Sequence, residues 1–359
     1  MTRDRARARI SAVRPLRVLA AASVLAASSI LAPVTFAQGY GGTVGDILVR
    51  GDSLLAQKRP NEAIVQFQEA RTLCPTAAEM VHSLQGEAQG RIGLGELLPA
   101  AGLLEEAVSR FPDDPRDPDM LYQAGALRFK GKETGKAIDL LRRALDKKPT
   151  PDDVPTIKYT LAQYLRSEGR VGEVIELLKD FDTAHPGFPL LPNVLYTLAI
   201  SNHDLGNLEA AETIYRGLLK RYAGHEVPQA YVEAHFELAA VLAARGKKQE
   251  AVDYYRKYVT LEPTSPYAGA ALERAGDALL FRSPRMSAEL YALARVKAAS
   301  NPKPALPEMG LSRWIGSKSA LAEGLSRVWV LLLAGLIVIG ALVLLGRSIL
   351  HGRSILRAQ

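Results

Sequence analysis

Residues Gly246 to Pro263 read GKKQEAVDYYRKYVTLEP, and the spacing of Gly246, Ala251, Tyr255, Tyr258 and Pro263 within them decides the fold. The same punctuation recurs through the chain. A step back of 40 residues gives Gly206, Ala211, Tyr215, Leu218 and Ala223. Steps of 37 then give Gly169, Val174, Leu178, Phe181 and Pro186, and next Lys132, Ala137, Leu141, Ala144 and Pro149. Two more reach Gly95, Ala100, Leu104, Ala107 and Pro112, and finally Lys58, Ala63, Phe67, Ala70 and Pro75. Twelve residues before each Ala or Val stands a small residue: Gly51, Ala88, Gly125, Ala162, Ala199 and Ala239. Six copies in constant register mark a repeat architecture, in which a unit buries its apolar face only by stacking on its neighbours.

Each copy holds two stretches with helical apolar periodicity, such as AYVEAHFELAAVLAARG followed by KKQEAVDYYRKYVTLEP. Small residues let the two helices approach closely, and Pro stops the second. This order of small residue, turn, Ala, aromatic or Leu, Ala and Pro resembles the tetratricopeptide-repeat (TPR) family over Val44 to Pro263. The extra residues relative to the family's unit fall in the connections PDDP, PTPDDVP and HPGFPLLP. Lys58 and Lys132 depart from the usual turn Gly, and Val174 and Ala223 from the usual Ala and Pro. The resemblance implies an all-α, right-handed TPR-type α-solenoid over 44–298, closed by a partial seventh helix pair at Pro266–Phe281 and Pro284–Ala298.

The charge lies at the two ends. The net +7 of the 359 residues divides into +5 from residues 1–37, +4 from 327–359, and −2 from everything between. A middle of that sign lacks the basic footprint that phosphate-backbone binding needs, which excludes nucleic acid as a partner. A basic stretch to Arg17, an apolar run from Val18 to Leu31, and small Thr35 and Ala37 at the −3 and −1 positions predict a cleaved signal peptide, 1–37. Residues 38–43 follow as a flexible mature N-terminus. Val328 to Leu345 is 18 residues without a charge, about 27 Å as a helix, and predicts a transmembrane helix over 328–346.

Residues 299–327 are expected to be a Pro-containing linker with a juxtamembrane helix, with Trp314 and Trp329 as interfacial anchors. Residues 347–359 form a basic cytoplasmic tail. The topology expected is a single pass through a bacterial cytoplasmic (inner) membrane, with the solenoid on the periplasmic side. Cys74 is the only cysteine, which excludes an internal disulfide; its residue type and context suggest a half-buried helix position.

The family resemblance further implies that first helices line a concave groove, with the fifth position of each unit facing it. Those positions are Leu48, Gln85, Tyr122, Tyr159, Tyr196 and Phe236. Phe129, Lys130, Gln163, Arg166, His203 and Asp204 fall in neighbouring groove registers. Aromatics among polar and cationic groups suit an extended peptide or a helix of another protein. The same rings also suit packing between adjacent first helices, and the sequence leaves both readings open. Tyr255 and Tyr258 read as core.

Chemistry is not signalled. GALRFKGKET has the wrong spacing for a phosphate loop, GYGGTVGD has no strand before it, and the six His show no metal-ligand pattern. His203 and Asp204 are helix neighbours and do not face each other. The reading is a scaffold or adaptor without catalytic residues, metal or cofactor, binding a cell-envelope protein. The alternative is a component of exopolysaccharide synthesis or secretion that binds a glycan, or its synthase, through the same aromatics.

Overall fold

The computed structural model describes residues 42–299, apart from 74 and 225–227, together with 321–328 and 330. The expected signal peptide, residues 38–41, most of the linker, nearly all of the apolar run, the basic tail and Cys74 lie outside them. Among the described residues no helix is long and apolar enough to cross a membrane, and none forms a strand.

The helices come in pairs. They are α1 (Gly42–Ala56) with α2 (Pro60–Thr72), α3 (Ala77–Gly93) with α4 (Leu97–Arg110), and α5 (Asp117–Lys130) with α6 (Thr134–Asp146). In the fourth pair α7 (Val154–Ser167) faces a broken partner, α8 (Val171–Leu178) and α9 (Phe181–Ala184). There follow α10 (Leu191–Leu205) with α11 (Leu208–Arg221), α12 (Gln229–Ala244) with α13 (Lys248–Leu261), and α14 (Ala268–Leu279) with α15 (Pro284–Ala299). The first helix begins at Gly42, so Gly42 and Thr43 belong to the repeat array and not to the N-terminal arm. The seventh pair is fully helical. One compact unit ends at Val194 and a second begins at Leu195.

The residues that carry the periodicity are the core. Ala63, Ala100, Ala137, Val174, Ala211 and Ala251 are completely buried, and the aromatic or Leu four residues later is at most 2% exposed in every copy. The small residue on the first helix has a steric reason. A Cβ on Gly51 would lie 2.8 Å from the Phe67 ring, and one on Gly125 would lie 3.3 Å from Leu141 Cγ. Gly276 stands in the same relation to Tyr291, at 2.7 Å. In the first unit one core cluster joins Ile47, Leu48, Ala63, Phe67 and Ala70. In the second, Tyr215, Tyr255, Tyr258 and Tyr291 share a much larger one, which also takes in Ala322.

The turns are equally regular. The residue between the paired helices has positive φ in all six copies: Gly95 (80°), Gly169 (73°), Gly206 (89°) and Gly246 (80°), but also Lys58 (59°) and Lys132 (65°). α3 starts on a capping box, in which Thr76 Oγ1 accepts from the Glu79 amide at 3.3 Å and the Glu79 carboxylate accepts from the Thr76 amide at 2.8 Å. Pro60, Pro118 and Pro155 occupy the first turns of their helices, where a missing N–H costs nothing.

Buried carboxylates tie consecutive repeats together. In the first unit Glu87, 2% exposed, accepts from Arg91 at 2.8 Å, from Arg71 and from Gln68 at 3.0 Å. In the second unit Glu212 on α11, 7% exposed, accepts from Arg216 at 2.9 Å, Arg245 at 2.5 Å and Lys247 at 2.7 Å. Arg245 and Lys247 flank the turn residue Gly246, so the following repeat's turn is clamped to the preceding helix.

Candidate partner-binding face

In the first unit the aromatic face is built between α5 and α7. Phe129 from α5 stacks flat on Tyr164 from α7, with ring centroids 3.9 Å apart and planes at 7°. The Tyr122 hydroxyl lies 3.5 Å from Thr160 Oγ1, whose own hydroxyl donates to the Thr156 carbonyl at 2.9 Å. Burial, with Tyr122 beside it, raises the Tyr164 hydroxyl above its ordinary range. Tyr122, Phe129, Gln163 and Arg166 are half-buried, and Lys130 is exposed. Amide side chains continue the face onto α3: Gln89 donates to Gln123 at 3.2 Å, and Arg116 donates to Gln85 at 3.1 Å.

Tyr159 belongs to a different environment. It is 9% exposed, and its ring meets Phe188 edge-on at 6.4 Å. Phe188 comes from the HPGFPLLP connection and also packs on Phe181 at 5.6 Å. Leu48, another fifth-position residue, is 1% exposed. At these two sites the register runs into the core.

The second unit repeats the mixture. Tyr196 on α10 is half-buried and meets Tyr215 at 6.1 Å. Phe236 on α12 lies against Tyr255 at 5.6 Å and Tyr258 at 5.3 Å, with the Arg274 guanidinium over its ring at 4.7 Å. Burial pushes the Tyr255 hydroxyl up to about 12. His203 Nδ1 lies 3.8 Å from Glu237 Oε2, and Asp204 is exposed. Gly125 to Lys130 lie within α5, which removes the phosphate-loop resemblance altogether. Among the described residues no three His, Cys, Asp or Glu side chains converge to hold a metal ion.

Tyr164, Gln89, Gln123 and Arg274 are the members of these faces that register reasoning passes over. Arg274 has a readable signal, since it follows Phe236 by 38 residues, nearly one repeat. Tyr164 has none, because its register is shared with core residues elsewhere.

The family profile for the tetratricopeptide repeat matches residues 86–154 and 196–268. The chain carries tetratricopeptide repeats. Among solved structures it is similar to the C-terminal part of a TPR repeat-containing protein from Cytophaga hutchinsonii, at 16% identity and a TM-score of 0.53, over 73% of this chain and 99% of that one. A tetratricopeptide repeat protein from Parabacteroides merdae is 14% identical over 79% of this chain and 100% of its own, with a TM-score of 0.46. No curated protein matches the chain. The TPR assignment accounts for the paired all-α architecture and fits a scaffold that works by protein–protein contact.

Proposed function

We propose that the protein is a membrane-anchored TPR adaptor that captures an extended or helical segment of a cell-envelope protein on the aromatic faces of its first helices. The observation that carries this reading is the stacked Phe129–Tyr164 pair with the Tyr122 hydroxyl beside it and Lys130 exposed at its edge. Aromatics held rigid by a neighbour and left partly accessible, as Tyr122 and Phe129 are, are the side chains that dominate binding energy at interfaces. Tyr196, Phe236, Gln163, Arg166, His203 and Asp204 extend the candidate set. The signal-like leader and the 18-residue apolar run at Val328–Leu345 support a single pass through a bacterial cytoplasmic membrane, with the repeats outside and the C-terminus inside.

The test is chemical cross-linking in cells with the wild-type chain and with Tyr122→Ala/Phe129→Ala. The envelope proteins recovered with the wild type should fall at least about tenfold with the variant, since losing two interface aromatics removes roughly 2 kcal/mol or more. Circular dichroism of the variant should be unchanged. Equal recovery by a folded variant would remove this face from the proposal.

A further inference from the structure

On the second helix of each repeat, two outward positions lie six and nine residues after the buried Ala or Val. Through the first six repeats the former runs Glu, Glu, Arg, Asp, Gly, Lys (Glu69 to Lys257), and the latter Thr, Ser, Asp, Thr, Lys, Thr (Thr72 to Thr260). All twelve are exposed. In the seventh repeat the count starts at Ser287, because Tyr291 packs on Gly276 as Phe67 packs on Gly51. There the two positions hold Leu293, 45% exposed, and Val296, 61% exposed. One exposed apolar residue needs no explanation. Two, at positions kept polar or without a side chain in every earlier repeat, do.

The same unit fixes the start of the apolar run. Residues 321–328 are helical, and Ala322 is wholly buried in the core cluster that contains Leu290, Tyr291 and Ala294 of α15. Val328, where the run begins, is six residues further on, about 9 Å along a helix. The run therefore begins less than two helical turns from a residue packed into the core of this unit. Exposed Arg295 stands between Leu293 and Val296 in sequence, with exposed Arg285 eight residues and exposed Glu289 four residues before Leu293, a net positive set whose sign complements anionic headgroups. Arg285, 90% exposed, is only loosely engaged, 3.6 Å from Glu289, which is 65% exposed.

We infer that the outward face of α15 around Leu293 and Val296 rests on the surface of an anionic bilayer, holding the last repeat against the membrane. This rests on reading residues 328–346 as the anchor. An exposed apolar pair on a helix whose exposed charges are net positive is the composition of an interfacial helix, with its apolar face in the headgroup boundary and its cations at phosphate level.

The experiment uses the full chain in a Cys74→Ser background, reconstituted into phosphatidylglycerol–phosphatidylcholine vesicles. A nitroxide is placed at Val296→Cys or, as control, at Thr72→Cys, the matching position of the first repeat. Collision with lipid-soluble oxygen is compared with collision with a water-soluble nickel chelate. The Val296 label should favour oxygen and the Thr72 label nickel. A Val296 label that favours nickel overturns the inference, because the face is then in water. A label shielded from both reagents, in vesicles and in detergent alike, also overturns it and assigns the face to a second copy or to another segment of this chain. Alkaline extraction separates the two readings. A chain released from the vesicles refutes the anchor and the contact together, whereas a retained chain with an aqueous Val296 refutes the contact alone.

Discussion

Lys58 and Lys132 hold left-handed backbone where the other four turns hold Gly. A side chain in that conformation costs roughly 1 kcal/mol, partly offset by the greater freedom glycine gives the unfolded chain. Lys58→Gly and Lys132→Gly should each raise stability by about 0.5 kcal/mol in urea unfolding, and Gly95→Ala should lower it by about 1 kcal/mol. His235 sets a pH dependence. It is 1% exposed, its Nδ1 lies 2.9 Å from the Tyr231 carbonyl, and burial lowers its pKa. The unfolded chain then binds a proton that the folded one refuses. Stability falls as pH drops below about 6.5, by at most about 1.4 kcal/mol per unit. His235→Phe should flatten thermal-melt midpoints measured between pH 7 and pH 5.

At the level of helices, Glu212 with its three cations joins consecutive repeats of the second unit. Burial alone would raise this carboxyl, but the bonds from Lys247 and Arg216 hold it down to about 2. Its contribution is complete above the unfolded value of roughly 4.3 and is lost as pH falls from there toward 2. Glu212→Gln keeps the shape and removes the anion. The cations are about a third exposed, so the loss should be moderate, about 1–3 kcal/mol by chemical denaturation. Arg245→Gln should cost less, because two cations remain on the carboxylate.

Element by element, the pairing of helices was legible in the sequence because a small residue, Gly or Ala, recurs where the paired helices meet, as at Gly51 against Phe67. The candidate face was legible only in part. Tyr122 and Tyr159 share a register, yet Phe188 closes over Tyr159 from a connection that belongs to no repeat. Side chains contributed by such irregular segments follow no period. Likewise the break between Leu178 and Phe181 interrupts a helix that periodicity draws as continuous.

On the scale of the whole chain, stability should be uneven. Stacked repeats are stabilised by nearest neighbours, and a terminal pair has one neighbour fewer. The first pair rests on the small cluster of Ile47, Leu48, Ala63, Phe67 and Ala70, whereas α12 and α13 sit within the large tyrosine-rich cluster. Amide hydrogen exchange should be fastest in α1 and α2 and slowest in α12 and α13. Uniform protection across both would contradict this gradient.

The left-handed turn residues at positions 58, 95, 132 and 169 are equivalent joints set 37 residues apart. Splicing the gene from one joint to the next would delete a whole repeat while leaving each remaining junction chemically intact. Unequal recombination at these points would then act as a length dial, altering how many first helices a partner meets without requiring a new core to be invented.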